Sequence, residues 1–274
     1  MADVAQKRDR VLHAQFSRAF TVIVIGATSA LLVGCNDDGG ETESSGGEQE
    51  VHWSYEGDSG PDHWGELSDD FALCASGQEQ SPVDIPSQAP VNSSGLTIKY
   101  QPSALNILNN GHTIQANYDS GSAIEVEGQT YELLQFHFHI PSEHRFDGSQ
   151  SDMELHFVHK TYEGATAVIG VPLESGEPNA VLADIWANLP EEEAEEQTIE
   201  GVTINADEML PSSRDYVKLD GSLTTPPCTE GVSWLVMQRA VEVSEDQIDA
   251  FEEIFPLNAR PVQPLNEREF QEGH

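Results

Sequence analysis

Basic residues are scarce in this chain. It carries 12 Lys and Arg against 48 Asp and Glu among 274 residues, which gives a formal net charge of -36. A surface this acidic repels phosphate groups, which excludes nucleic acid and anionic lipid as partner surfaces. Because the self-repulsion must be screened, we predict a halophilic protein from saline or alkaline water. The alternative is an ordinary acidic secreted protein.

Long apolar runs are also missing. The charge-free stretch from Ala19 to Val33 has 15 residues, whereas a helix needs about 20 to cross a bilayer. Basic residues precede this stretch at positions 7, 8, 10 and 18, so residues 1–34 are predicted to be a signal peptide for export. The stretch runs into LVGC, which resembles the lipobox of bacterial lipoproteins, so we expect acylation of Cys35. A plain signal peptide is the alternative.

The segment after Cys35 lacks apolar residues altogether. Residues 36–50 read NDDGGETESSGGEQE, a composition that cannot form a packed core and is typical of a flexible tether. We therefore divide the chain into a signal peptide (1–34), a lipidated cysteine with an acidic tether (35–50) and one folded domain (51–274). The protein is expected in the periplasm or at the cell surface, membrane-bound only through its lipid, and it could form a homodimer.

From residue 51 onward, short segments with strand character alternate with turn residues. These segments are rich in β-branched residues or alternate between apolar and polar, and Gly, Pro, Asn or Asp bounds them. The predicted strands are 96–100, 114–118, 123–126, 131–140, 153–159, 165–171 and 232–236. Because strands and helices do not alternate along the chain, we predict a mainly β fold with a twisted, mostly antiparallel sheet and a few short helices.

One helix is predicted near the C-terminus. Ser244 is a suitable N-cap, Ile248, Phe251 and Ile254 follow at helical spacing, and Pro256 ends the segment. We expect this helix to serve packing only. The acidic run 191–196 is predicted to be a solvated face or a loop.

The stretch QFHFHIPSEH (residues 135–144) concentrates the chemistry of the chain. At the two-residue period of a strand, Gln135, His137 and His139 share one face, and aromatic residues take the other. In MELHFVH (153–159), Glu154 and His156 share a face in the same way. If the two strands are neighbours, three imidazoles converge.

Three imidazoles leave the fourth tetrahedral position of a zinc ion open, which is the arrangement of a catalytic rather than a structural site. The second ring nitrogen of each ligand needs a partner. Gln135 precedes His137 by two residues and Glu154 precedes His156 by two, so each could supply one. The alternative is a half-exposed strand face with solvated polar residues.

Together with GSLTTPPC (221–228), these two stretches resemble the alpha-class carbonic anhydrases in their short-looped bacterial form. The motifs occur in the right order, and the resemblance extends over about residues 52–270. It implies a large central sheet and a zinc cofactor held by His137, His139 and His156. It also implies reversible hydration of carbon dioxide to bicarbonate and a proton by attack of zinc-bound hydroxide, so that residues 51–274 are a catalytic zinc domain.

The resemblance implies further roles around the metal. Thr224 matches a threonine that accepts the hydrogen bond of zinc hydroxide and donates its own proton to a glutamate, here Glu143. His112 matches the histidine that ferries protons to solvent. His144 matches a structural histidine behind the ligands, whereas His159, which has the opposite parity to the ligand on its strand, is expected at a packing or surface position.

The substrate pocket is implied in the same way. Carbon dioxide is uncharged, so its pocket should be apolar. Seven positions match pocket-lining residues of the family: Tyr55, Gln115, Val158, Val168, Leu223, Thr225 and Trp234. Among them, Thr225 matches a threonine that lies beside the bicarbonate product. Trp53 and Trp64 belong to the N-terminal segment that wraps over the mouth of the site, and we expect them to serve packing.

Two cysteines remain after Cys35. Cys74 and Cys228 match the disulfide of secreted family members, and an even pair without metal-type spacing in an oxidising compartment supports such a bridge. It would hold the N-terminal segment beside the loop that carries Thr224.

Two other classes of protein stay open. A carbonic-anhydrase-like binding protein without activity typically lacks a zinc ligand, whereas all three ligand histidines, the glutamate and the threonine are present here. An exported zinc-capture lipoprotein would carry His-rich tracts, whereas the 10 histidines of this chain are scattered. One departure is Leu219, which stands where the family often has an aromatic residue and weakens the expected hydrogen-bond network behind Thr224.

Overall fold

The computed structural model describes residues 51–272. The predicted signal peptide, the lipidation site at Cys35 and the tether lie outside these residues. Within residues 51–272, no helix is both long and apolar enough to cross a membrane.

Strands dominate the described domain. In chain order, β1 to β14 are Asp84–Ile85, Leu96–Lys99, Ser103–Asn109, Ile114–Asn117, Ala123–Val126, Gln129–His139, Arg145–Phe146, Ser149–Gln150, Met153–Lys160, Thr166–Ser175, Ala194–Ile204, Tyr216–Ser222, Glu230–Met237 and Val241–Val243. The helices are short: α1 to α4 are Trp64–Leu67, Leu73–Ser76, Ala183–Trp186 and Glu245–Glu252. Single 3-10 turns occupy Gly57–Ser59, Asp69–Phe71 and Ala206–Met209.

Eleven of these strands form one large sheet. Its main path runs β11-β3-β4-β6-β9-β10-β13-β12, with β14 beside β10, and with β2 joined through β5 to β6. Neighbouring strands are antiparallel, except that β10 pairs in parallel with β13 and β14. The short strands β1, β7 and β8 form a separate sheet. The predicted mainly β fold with a large, mostly antiparallel central sheet is therefore confirmed.

Alternation along β6 and β9 sorts their side chains between the two faces of the sheet. Phe136, Phe138, Leu155 and Phe157 are buried in the main hydrophobic core, and burying each such side chain stabilises the fold by about 1.5–3 kcal/mol. The histidines therefore occupy the opposite face. A register slip by one residue would exchange the two faces, so the apolar core fixes where the histidines point.

The predicted strand ranges include neither β3, β11, β12 and β14 of the large sheet nor the two-residue strands β1, β7 and β8. β11 is an edge strand whose side chains are mostly exposed, and its acidic composition hides its strand character. The run 191–196 is indeed exposed, but from Ala194 it pairs with β3 and is not a loop. Cross-strand pairing, which is not a local property, decides this segment.

The predicted C-terminal helix is α4. The Ser244 hydroxyl accepts the Gln247 N–H at 3.2 Å, and the Gln247 side chain accepts the Ser244 N–H at 3.1 Å. This reciprocal capping box satisfies two backbone donors that the first helical turn leaves open. Phe251 is fully buried, so the helix packs on the core as expected.

Candidate active site

Strand register brings the three predicted ligands together. His137 on β6 lies directly opposite His156 on β9, and Gln115 on β4 lies opposite His137. The ring centroids of His139 and His156 are 4.6 Å apart, and those of His137 and His139 are 4.9 Å apart. One ligand nitrogen from each ring lies within 4.8 Å of the other two. The rings therefore point to one common position.

The second nitrogen of each ring is already occupied. His137 Nδ1 lies 2.8 Å from Gln135 Oε1, His156 Nε2 lies 2.9 Å from Glu154 Oε1, and His139 Nδ1 lies 2.6 Å from the carbonyl oxygen of Asn258. The nitrogens left for a metal are Nε2 of His137, Nε2 of His139 and Nδ1 of His156. The sequence predicted the partners Gln135 and Glu154, but not Asn258.

This donor set fits a zinc ion. His139 Nε2 is buried and has no hydrogen-bond partner among the described residues. A buried polar atom without a partner is rare and calls for an explanation, which a metal at this position supplies. Three imidazoles with no thiolate among them suit Zn²⁺ and leave room for a fourth, exchangeable group.

Burial keeps the three imidazoles in the form that binds metal. It lowers the pKa of His139 to about 4, holds the pKa of His137 well below its usual value, and lowers the pKa of His156. All three rings are therefore neutral at pH 7, and a neutral ring has a lone pair for the metal.

Glu154 and His144 lie behind His156. Glu154 Oε1 accepts hydrogen bonds from His156 Nε2 and from His144 Nδ1, each at 2.9 Å. Burial on its own raises the pKa of Glu154, but the neighbouring His144 and His156 more than offset this and hold it well below the usual range. The carboxylate stays charged and fixes the His156 ring.

Glu143 and Thr224 form the second polar pair of the site. Glu143 is 1% exposed, and its Oε1 accepts the backbone N–H of Arg260 at 2.9 Å. Burial raises the pKa of Glu143 to about 7, while the nearby His156 ring, the Arg260 N–H and the Thr224 side chain oppose this rise. Glu143 Oε2 lies 3.6 Å from His139 Nε2, so this pair borders the metal position.

A cavity of about 460 Å³ opens beside the histidines. Val158, Val168 and Trp234 lie opposite one another on β9, β10 and β13, and together with Leu223 they form its apolar side. Thr224, Thr225, Gln135, His137 and His156 also line it. The structure thus brings the predicted substrate-pocket residues Val158, Val168, Leu223, Thr225 and Trp234 together on one side of the metal position.

A second cavity of about 120 Å³ joins the histidines to the N-terminal segment. His112, Tyr55 and Gln115 line it together with His137 and His139. The ring of Trp53 stacks on His112, with centroids 3.6 Å apart and planes 9° apart. Trp53, which we expected to serve packing only, therefore positions the predicted proton shuttle.

The predicted disulfide between Cys74 and Cys228 is present. It ties α2 of the N-terminal segment to the loop after Thr224, and Gln80 Nε2 donates to the Cys228 carbonyl oxygen at 3.0 Å beside it. This is the arrangement that the sequence suggested for holding the two segments together.

Sequence reasoning missed three residues that shape the site. Asn258 and Arg260 act mainly through backbone groups on His139 and Glu143, for which no local sequence pattern exists. Gly170 lies opposite His156, and a Cβ there would come within 2.7 Å of Glu154 Oε1. A single glycine inside a strand is a known mark of such close approach and could have been noticed.

Comparisons with known proteins agree with this geometry. A family model described as eukaryotic-type carbonic anhydrase matches residues 59–273. A protein of Nostoc sp. named carbonic anhydrase is 49% identical over 223 residues, which cover 80% of this chain and 84% of that protein. A carbonic anhydrase of Neisseria gonorrhoeae is 40% identical over 247 residues, which cover 88% of this chain and 94% of that protein.

A solved structure is similar over the same region. It is the complex of the alpha-carbonic anhydrase from Thermovibrio ammonificans with the inhibitor sulfanilamide, at 40% identity and a TM-score of 0.78. The match covers 81% of this chain and 99% of that one.

Proposed function

The chain belongs to the eukaryotic-type, or alpha, carbonic anhydrase family, and from this membership we propose that it uses zinc to hydrate carbon dioxide reversibly to bicarbonate and a proton. One observation carries the proposal. Three buried or half-buried imidazoles converge within 4.8 Å, and each has its other ring nitrogen engaged elsewhere. Imidazoles held in this way are ready for a metal.

We assign the zinc ion to Nε2 of His137, Nε2 of His139 and Nδ1 of His156. Zinc held by three histidines lowers the pKa of water to about 7, for which carbonic anhydrase is itself the standard example, and so supplies hydroxide at neutral pH. Gln135, Glu154 and the Asn258 carbonyl fix the ring orientations, and His144 supports Glu154 from behind.

Thr224 and Glu143 orient the attacking oxygen. We assign the Thr224 hydroxyl proton to Glu143, whose pKa the Thr224 side chain lowers, so that the Thr224 oxygen is left to accept the remaining proton of the nucleophile. Glu143 holds its position because its other oxygen accepts the Arg260 N–H. This arrangement directs a lone pair of the nucleophile toward the substrate, and orientation of this kind lowers the barrier without new covalent chemistry.

The apolar side of the larger cavity receives carbon dioxide. Val158, Val168, Leu223 and Trp234 offer no hydrogen bonds that would hold water there, apart from the Trp234 N–H, which is already donated to the Ser222 carbonyl oxygen at 3.0 Å. Thr225, in the same cavity, is assigned to the bicarbonate product. Gln115 and Tyr55 border the metal from the other cavity.

His112 is assigned to proton transfer. It shares a cavity with the metal position, and imidazole is the side chain best suited to take up and release a proton near neutral pH. The stacked Trp53 ring holds it at the edge of that cavity.

We further propose that the protein works outside the cytoplasm. The buried Cys74–Cys228 disulfide supports an oxidising compartment. Cleavage after residue 34, acylation of Cys35 and the acidic tether are proposals from the sequence alone, and mass spectrometry of the membrane-extracted protein tests them.

The test of the function is stopped-flow hydration of carbon dioxide, measured beside the zinc content of the same sample. We expect about one zinc per chain and rapid hydration, and we expect His139→Ala to lose both. His52→Ala, which removes an exposed histidine outside the site, is the matched control and keeps both. Zinc binding without hydration would favour the non-catalytic or zinc-capture alternatives.

A further inference from the structure

A cavity of about 420 Å³ lies beside the proposed catalytic pocket, with which it shares Glu143 and Tyr55. Three segments enclose it: the N-terminal segment 55–63, the loop and short strands 141–150, and the C-terminal segment 257–262. Its size is typical of sites for small molecules. We call it the arginine cleft, because Arg145 and Arg260 both line it.

Unpaired polar atoms distinguish this cleft. Five buried side-chain polar atoms of the described residues have no hydrogen-bond partner. Three of them, in His139, Glu143 and His144, belong to the metal site and its support. The other two are the Nε atoms of Arg145 and Arg260, and both of these residues line the cleft. Each of the two guanidinium groups therefore has a donor that the described residues leave unused, which is rare for a buried group.

The guanidinium groups of the two arginines also lack an ion pair. No carboxylate of the described residues makes one with either group, although the chain has 48 acidic residues. Arg260 is 2% exposed, and its guanidinium donates only to neutral acceptors, namely Gln80 Oε1 and the carbonyl oxygens of Ser81 and Cys74. Arg145 Nη2 donates to Gln150 Oε1 at 3.2 Å.

The acidic residues of the cleft lie elsewhere on its wall. Glu56 and Asp62 line it but are exposed, so solvent and salt screen their charges. Glu143, also on the wall, directs Oε1 to the Arg260 N–H and Oε2 toward the metal ligands. The buried end of the cleft is therefore cationic.

Apolar groups complete the lining. Pro141, Leu257, Pro261 and Val262 border the cleft, and Leu257 is one of the few large hydrophobic side chains that stay exposed in the described domain. We propose that the arginine cleft binds a small organic carboxylate, whose oxygens accept hydrogen bonds from Arg145 at the cationic end and whose apolar part lies against these four side chains.

Titration of the zinc-loaded protein with benzoate, followed by amide chemical shifts, tests this proposal. We expect saturable shifts at Gly57, Gly60 and Ala259, and we expect the neutral isostere benzamide to cause none. Arg145→Gln, which keeps a side chain able to bond Gln150, should weaken benzoate binding about 10-fold or more, since it removes a charge-assisted hydrogen bond. Arg214→Gln, an arginine outside the cleft, should leave the affinity unchanged.

Arg260 stays intact in this test because its carbonyl contacts help to hold the N-terminal segment. Benzoate shifts confined to Thr224 and Thr225, or an affinity that Arg145→Gln leaves unchanged, would overturn the proposal. The result is independent of the proposed function, because cleft binding is read from shifts and not from turnover.

Discussion

The carboxylate of Glu154 accepts four hydrogen bonds in the interior of the protein. The backbone N–H groups of Glu143 and His144 donate to Oε2 at 2.8 and 2.7 Å, and His144 Nδ1 and His156 Nε2 donate to Oε1 at 2.9 Å. Each donor replaces a water that the charge loses on burial. One residue therefore fixes a metal ligand and the loop that carries Glu143.

Glu154→Gln tests this role. Glutamine has nearly the same shape but only one acceptor oxygen, so its amide N–H₂ would face two donors, either the two imidazoles or the two backbone N–H groups, and both would lose their partner. We expect the zinc affinity to fall by roughly 10- to 100-fold, measured by competition with a chromogenic chelator. Glu132→Gln, an acid on β6 away from the ligands, is the control, and equal affinities of the two variants would contradict the assignment.

His112→Ala tests the proton route at the same scale. Since His112 lines the cavity beside the ligands and its imidazole can carry a proton to solvent, its loss should lower turnover in weak buffer by roughly 100-fold. Concentrated imidazole should restore part of the rate, because a small base can enter the space that the ring leaves. Unchanged turnover in weak buffer would remove His112 from the pathway, and His52→Ala serves as the control.

At the scale of elements, the central sheet positions the three histidines, and the loops and the N-terminal segment supply the remaining residues of the site. β6 and β9 supply all three of the proposed metal ligands, whereas the loops that follow β6 and β12 supply Glu143 and Thr224. The disulfide and the Arg260 side chain tie the N-terminal segment to these loops. Without these ties, the N-terminal segment would not be held over the mouth of the site, and the sheet would form only one side of it.

Replacing both Cys74 and Cys228 by serine tests this tie. The bridge closes a loop with a sequence separation of 154 residues, and in the chain-entropy model its loss costs about 3–5 kcal/mol of unfolding free energy. Urea unfolding monitored by Trp fluorescence measures the difference. A reductant should destabilise the native protein to a similar extent and the double variant not at all. A double variant as stable as the native protein would show that the bridge contributes nothing.

At the scale of the whole molecule, the large negative charge is the feature that most affects stability. Among the described residues, only three ion pairs involve Lys or Arg: Lys99 with Glu125, Arg214 with Asp207 and Lys218 with Glu127. Most acidic side chains of residues 51–272 therefore have no Lys or Arg paired with them, and their charges repel one another. Compaction brings these charges closer together, so repulsion destabilises the folded state.

Sodium chloride should therefore raise the melting temperature. Because the Debye length falls from about 30 Å at 0.01 M to about 10 Å at 0.1 M salt and about 3 Å at 1 M, most of the rise should occur below about 0.5 M. Calorimetry across this range measures it. Choline chloride at the same ionic strength should act alike, and a flat or falling curve would count against adaptation to salt.

The sequence by itself determined the part of the site that lies on the central sheet. The two-residue period of a strand is a local property, so the alternation in residues 135–139 and 153–158 was enough to place the histidines, Gln135 and Glu154 on one face and the aromatic residues on the other. The helix α4 was readable for the same reason, since its cap and apolar spacing lie within a few residues of one another.

Only the tertiary structure decided the rest. The Asn258 carbonyl reaches His139 across 119 residues of sequence, and the Arg260 N–H reaches Glu143 across 117. The stacking of Trp53 on His112 and the arginine cleft likewise arise where distant segments meet. A periodic pattern records which way a side chain points from its own strand, but it carries no information about which remote backbone will pack against it, because that choice depends on the burial of the whole chain.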